Sequence, residues 1–593
     1  MNASIAPSSS LPSWNLDDLY PGIDSPELGV DLGRAEVAAG EFNERFAGRL
    51  ADLTAAGLGH AIAEYERIDE TLTRLYSYAG LVYAGNMSDP AIGKFYQTLQ
   101  ERISTISTKL VFFTLEINRL DDSVLQSRLA ESPLLANFAP WLRDTRIYLP
   151  HQLSDDLERL LHEKYVVGRA AWTRLFDETL NELRFPLNGA ELTSTEALNK
   201  LSDPDSAVRR AAGEVIGRVL KENIRIFALI FNTLIKDKEI EDTWRHYPHP
   251  SSARNLGNQV EDEVVDALVT AVKSAYPQLS HRYYAMKARW FGSDRLDYRD
   301  RNAPLPDVED RLRSWDEARE IVLGAYRNFS PELGEIGARF FERPWIDAGV
   351  RPGKASGAFA HPTVPSVHPY LLVNFLGKTR DVMTLAHELG HGVHQVLAGG
   401  QGHLMSGTPL TLAETASVFG EMLTFRALID AETDPRQRRA MLASKVEDML
   451  NTVVRQIAFY DFESRVHAER KHGEITAERL GEIWRTVQTE SLGPALRFDE
   501  GYDNYWSYIS HFIHSPFYVY AYAFGDCLVN SLYAVYREQP DDFADRYIAM
   551  LSAGGTLRHR ELLAPFGLDA ADPGFWQKGL SMISDFIDEL EAQ

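Results

Sequence analysis

Apolar residues recur at three- and four-residue spacings over most of this chain, and that pattern predicts a mainly α protein. It is densest between residues 58 and 130, where AIAEYERIDETLTRLYSYAGLVYAGN and PAIGKFYQTLQERISTISTKLVFFTLEINRL read as long paired helices. More helix is predicted at 152–185 and 205–240, with a turn at PLNG near 186. From His246, HYPHPSSARNLGN breaks the period with prolines and paired serines and reads as a loop, with His246 and His249 as ordinary loop residues. The C-terminal third is again helical. The departure is ASGAFAHPTVPSVHPYLLVNF, residues 355–375, whose Gly, Pro and β-branched content predicts short strands and turns, YLLVNF being the clearest strand. A strand edge beside a cleft can hold an extended peptide through main-chain hydrogen bonds. His361 and His368 read as structural.

The next segment, DVMTLAHELGHGVHQVLAGG at 381–400, is predicted as one helix: Asp381 can cap its start, Gly399 and Gly400 can end it, and no proline interrupts it. Val382, Leu385, Leu389, Val393 and Val396 gather on one side of the wheel, with His387, His391 and His394 roughly opposite. That is the pattern of a helix packed on a core along one face and lining a cleft along the other. His387, Glu388 and His391 form a His-Glu-x-x-His motif. At about 100° per residue, a spacing of four returns both histidines to one face, where each can aim a ring nitrogen at one metal ion with Glu388 alongside.

A third ligand is expected at Glu414, in TPLTLAETASVFGEMLTFRALI from residue 408. Leu412, Ala413, Ala416, Val418, Phe419, Met422 and Leu423 surround it, so a helix there would be largely buried. An ionised carboxylate in such a place is costly unless a cation compensates it. Glu421, two turns on, either accepts from a ligand histidine or is an ordinary solvated glutamate. His394 reads as a supporting group rather than a fourth ligand. Two histidines, a carboxylate and an open position describe a catalytic zinc site rather than a closed structural one.

The 593 residues suffice for several domains, and 44% hydrophobic with 25% charged residues is ordinary for a globular protein. With 61 basic and 85 acidic residues the net charge is −24, which disfavours nucleic acid or an anionic membrane as the main partner. The single cysteine, Cys527, excludes intramolecular disulfides and a cysteine zinc cluster. The start, MNASIAPSSSLPSWN, lacks the basic region and apolar core of a signal peptide, and no apolar run approaches membrane-spanning length. The expectation is a cytoplasmic protein, monomer or homodimer, without nucleic-acid or membrane partners. The Ser-, Pro- and Ala-rich residues 1–13 are expected to form a loose arm, 14–200 an N-terminal helical lobe and 201–593 a catalytic domain.

GYDNYWSYISHFIHSPFYVYAYAFG, from Gly501, is dense in tyrosine. An aromatic core with its hydroxyls satisfied at the edge accounts for this. A second reading sets His511 and either Tyr518 or Tyr520 facing the metal, where a neutral imidazole or a phenol donates to the oxyanion formed when water attacks a carbonyl.

Taken together, WNLDDLYPG near the start, LLVNFLGKTRDVMTLAHELGHGVH, LAETASVFGE and ISHFIHSPFYVYAYAFG resemble the oligoendopeptidase F family of zinc metallopeptidases, relatives of thimet oligopeptidase. The resemblance implies a two-lobed helical metallopeptidase with a deep central channel and a small β-sheet near the motif helix. It implies one Zn2+ per chain on His387, His391 and Glu414, with Glu388 as general base. It matches His511 and Tyr520 to residues that stabilise the tetrahedral intermediate, although HFIHSPFYVY departs from the family pattern between them. The implied activity is hydrolysis of internal bonds in short unfolded peptides. Two alternatives stand beside it: a metallo-carboxypeptidase anchoring the substrate terminus on Lys354, Arg351 or Arg497, and a peptide-binding protein with little turnover.

Overall fold

The periodic segments fold as helices whose starts are capped by the residues available there. Thr54 accepts from the Gly57 N–H at the head of Ala55–Gly85, and Asp89 does the same for Pro90–Thr108, where a proline occupies the first turn. Asp205 caps Ser206–Trp244, a 39-residue helix. The PLNG turn is the tip of a hairpin: Phe185–Leu187 pairs antiparallel with Ala190–Leu192. Asn188 and Gly189, at φ 52° and 83°, supply the two left-handed residues that a tight hairpin turn needs. The helix expected to reach 185 therefore stops at Glu182.

The computed structural model describes residues 11–165, 167–305 and 311–592. Their contacts divide into two compact units. The first gathers the described parts of Met1–Leu149, Asp310–Ala431 and Glu538–Gly567; the second gathers those of Pro150–Glu309, Glu432–Arg537 and Leu568–Gln593. A single boundary at residue 200 does not separate them. The reason is visible in the hydrogen bonds: in the first unit the N-terminal segment is tied to residues far along the chain, Asn15 N–H to the Pro344 carbonyl at 2.8 Å and Ala355 N–H to the Ala84 carbonyl at 2.8 Å. In the second unit the Asn232 side chain donates to the Ile475 carbonyl and accepts from its N–H, both at 2.9 Å. Of the expected arm, residues 1–10 lie outside the described residues, and Pro12 accepts from the Ala348 N–H at 2.9 Å.

Three short strands of the first unit lie next to the motif helix. Tyr370–Leu372 is central, parallel to Ile346–Asp347 and antiparallel to Phe359–His361, which forms one edge of the sheet. The predicted strand YLLVNF is thus a strand over its first half.

The motif helix runs Thr379–Ala398. Asp381 sits three residues inside its start rather than at the cap, and its carboxylate accepts the N–H groups of Leu376 and Lys378 at 2.8 and 3.0 Å. Val382, Leu385, Leu389 and Val393 are buried, each contributing about 1.5–3 kcal/mol by leaving water. This helix packs against Thr415–Ala431 with little room between backbones: a Cβ on Gly390 would stand 2.5 Å from the Ala416 carbonyl oxygen. On the other helix a Cβ on Gly420 would strike the hydroxyl of Tyr326, which donates to the Ala386 carbonyl at 2.8 Å. Only glycine permits that approach, and the approach carries Glu414 up to the histidines. Among the described residues no helix is long and apolar enough to cross a membrane.

Candidate active site

His387 and His391 project from one face of the motif helix with ring centroids 4.9 Å apart. Glu414 joins them, but not from within an unbroken buried helix as expected. It falls between Leu410–Ala413 and Thr415–Ala431, at φ −78°, ψ −3°. That break turns its carboxylate out of the helix pair, leaving it 31% exposed, with Ser417 Oγ donating to Oε2 at 2.7 Å. Glu414 Oε2 stands 3.3 Å from His387 Nε2 and 3.5 Å from His391 Nε2.

These three side chains fit a metal ion. Donors held about 2.0–2.1 Å from a tetrahedral zinc are themselves about 3.3 Å apart, and the three ligand atoms here lie within 4.8 Å of one another. The tautomer of His387 suits the same arrangement. Its Nδ1 lies 3.3 Å from Glu421 Oε2, so the proton donated there leaves the Nε2 lone pair facing Glu414. Burial draws the His387 imidazole down, but the Glu421 hydrogen bond and the charges of Glu414, Glu421 and Glu388 together hold it above the usual histidine value. The cluster thus favours positive charge at this point.

Glu388 is buried beside the histidines. Burial pushes its carboxyl up to about 7, with the charge of His387 opposing and that of Glu414 adding to the shift. The carboxylate accepts the N–H of Ala360, on the sheet edge. His394 is buried with Nε2 at 3.3 Å from Thr408 Oγ1, and burial draws it down to about 4, so it stays neutral. His368 stacks on Trp345 at 3.8 Å and meets Asp18 at 2.9 Å.

In the second unit the tyrosines separate. Tyr520 is fully buried, its hydroxyl accepting from Asn258 Nδ2 at 2.9 Å and its ring edge-on to Tyr460. Beside His511 stands Tyr522 instead, its hydroxyl 3.2 Å from Nε2, while Tyr518 stacks against the imidazole at 6.1 Å. The physical cause is the helix start: Phe517 takes φ 59° and the helix begins only at Tyr520, so that Tyr518 meets the imidazole from the turn before the helix and Tyr522 from its first turn. Burial, with Arg455 and His514 nearby, holds the His511 imidazole below its usual value and hence neutral. His514 pairs with Asp177 at 2.8 Å.

Residues 332–582 match the model of peptidase family M3, and residues 116–185 match that of oligopeptidase F. The chain belongs to the oligoendopeptidase F family of peptidases. Within that family, oligopeptidase PepF of Bacillus subtilis is 26% identical over 594 residues, covering 98% of this chain and 87% of that protein. An oligoendopeptidase F homolog of Lactococcus lactis is 24% identical over 98% of this chain and 96% of its own length. The crystal structure of oligoendopeptidase F from Enterococcus faecium has the same mainly helical fold, with a TM-score of 0.70 and 24% identity over 95% of this chain and 97% of that one. The family M3 segment holds His387, Glu388, His391, Glu414, Glu421, His511, Tyr518, Tyr520 and Tyr522, the last of which sequence reasoning missed. No helical spacing could have found it, because Tyr518, four residues earlier, lies before the helix.

The three cations considered as the anchor of a carboxypeptidase are each engaged with a carboxylate. Arg351 and Lys354 both bind the buried Asp347, at 2.7 and 2.8 Å, and Arg497 pairs with Asp297 at 3.2 Å.

Proposed function

We propose that this protein is a zinc-dependent endopeptidase that hydrolyses internal bonds of short, unfolded peptides. The observation that carries the reading is the convergence of His387 Nε2, His391 Nε2 and Glu414 Oε2 on one point with the Glu388 carboxylate beside it. When bound there, zinc supplies Lewis-acid polarisation of the scissile carbonyl and acidifies a water toward a pKa of about 7. Two neutral imidazoles and a carboxylate suit zinc, although cobalt or manganese can enter such a site in vitro.

The protein's own groups do the rest. Glu421 holds His387 in the tautomer and orientation that expose Nε2. Glu388, fixed by the Ala360 N–H, takes the proton from the attacking water and returns it to the leaving amine. His511 and a tyrosine hold the negative charge that develops on the carbonyl oxygen, and Tyr522 is the tyrosine proposed for that role. Tyr522→Phe should then lower kcat by about 10²–10³ with little change in KM. Tyr520→Phe should instead lower thermal stability by about 1 kcal/mol through loss of the Asn258 bond, with kcat nearly unchanged. Steady-state kinetics and calorimetric unfolding of the two variants check this; the reverse pattern would return the role to Tyr520.

The reading is tested by mass spectrometry of products from a mixed set of short peptides, with chelator and then with zinc restored. Internal cuts that vanish and return are expected. Trimming from one end would mean a carboxypeptidase, and absence of cleavage with zinc bound would mean a peptide-binding protein.

A further inference from the structure

A cavity of about 730 Å³ adjoins His391 within the first unit, in the range of small-ligand pockets, about 300–1,000 Å³. Its walls come from the last turns of the motif helix, the 362–369 segment, the 406–408 turn and one residue of Pro331–Glu342, namely Arg339. Although 85 of the 593 residues are acidic, no aspartate or glutamate among the described residues lines it.

The other groups in the lining that could carry positive charge are already answered. His391 faces Glu414, His368 meets Asp18, and His403 meets Asp69 at 2.9 Å. His394 is held neutral by burial. Arg339 differs: it is exposed, and its guanidinium makes no hydrogen bond or ion pair to any described residue. A planar fork of N–H donors, unpaired beside an acid-free cavity in a protein of net charge −24, is a site that selects a carboxylate.

We propose that this cavity receives one end of the substrate peptide and that Arg339 binds a substrate carboxylate there, thereby setting where the chain is cut. The proposal rests on the peptidase reading above and adds the chemistry of the bound end. The carboxylate common to all peptides, whatever their sequence, is the C-terminal one; an aspartate or glutamate side chain offers the same chemistry. Because Arg339 and His391 line one cavity of this size, more than one residue can lie between the bound end and the scissile bond, which distinguishes such an anchor from that of a carboxypeptidase.

The test uses the full-length metal-loaded protein and its Arg339→Gln variant, with one peptide as the free acid, as its C-terminal amide, and as the amide with a glutamate moved through the last positions. Wild type should favour the acid over the amide by about tenfold, chiefly in KM, the lower end expected of a hydrogen-bonded charge. Arg339→Gln should lose far more on the acid than on the amide, bringing the ratio near one, with thermal stability unchanged because the side chain holds nothing in place. Rescue of the amide by an internal glutamate, in wild type alone, would assign the same binding to a side-chain carboxylate. Equal treatment of acid and amide by both proteins, with no rescue, would overturn the proposal. Calorimetric Kd values for the same peptides keep the two readings apart. If no peptide is cut, the peptidase reading fails, while an Arg339-dependent difference in Kd between acid and amide still supports the inference and its absence overturns it.

Discussion

Glu388→Gln is expected to lower turnover by about 10²–10⁴-fold, the contribution of a positioned general acid–base group, while the protein binds zinc as before. Glutamine has nearly the same shape and still accepts the Ala360 N–H, so the packing around the motif helix is kept. It cannot take a proton from water at neutral pH. Nor is the carboxylate one of the three converging donors, so metal content should not fall. Single-turnover kinetics with elemental analysis of the purified variant separates these effects. Near-normal turnover would remove Glu388 from the chemistry, and loss of zinc together with activity would make it a ligand or a structural support instead.

Glu414→Ala should have the second large effect, on the metal. It deletes one of three protein donors, and the remaining pair of histidines on one helix turn forms an incomplete set. Its loss should exceed that of Glu421→Gln, which keeps all three donors and disturbs only the partner of His387 Nδ1. For such an outer partner a loss of about 10–100-fold in affinity is usual. Competition with a chromophoric chelator measures both variants on one scale. Unchanged affinity in Glu414→Ala would eliminate it as a ligand, and a larger loss in Glu421→Gln would exchange their roles.

How much of this was legible beforehand depended on how far apart the interacting residues are in the chain. The 3.6-residue period places His387 and His391 on one face whatever surrounds them, and the opposite apolar face announces itself by the same arithmetic. The strand Tyr370–Leu372 was legible for a similar reason, from a short run of β-formers between turn residues. Glu414 could be named from its apolar neighbours. Its break between two helices could not, because that follows from the contact of Gly390 with Ala416 across the helix pair.

The tyrosines mark the limit of local reasoning. Tyr518 lies before the helix while Tyr520 and Tyr522 lie within its first turn, so where the helix starts bears on which of them faces His511. That start is set by the left-handed turn at Phe517, whose N–H is held at 2.9 Å by the buried Glu463 from a distant helix. Arg339 shows the same limit from the other side. In sequence it is one more arginine on an amphipathic helix, with nothing local to set it apart.

By itself, then, the sequence determined the mainly helical class, the motif helix with both of its faces, and the residue types of the candidate metal site. Each of these rests on spacings of a few residues, and the backbone geometry of a helix converts such spacings directly into position. The tertiary structure alone decided that Glu414 closes the cluster from a helix break, that Tyr522 rather than Tyr520 meets His511, and which cations are spent on Asp347 and Asp297 while Arg339 has no partner among the described residues. Some of those outcomes depend on pairings between distant segments, as of Glu414 with His387 and Arg497 with Asp297, and others on near neighbours held in irregular backbone, as of Arg351 and Lys354 with Asp347 and of Tyr522 with His511. Such pairings are selected by packing and charge neutralisation in the folded chain, for which no local period exists.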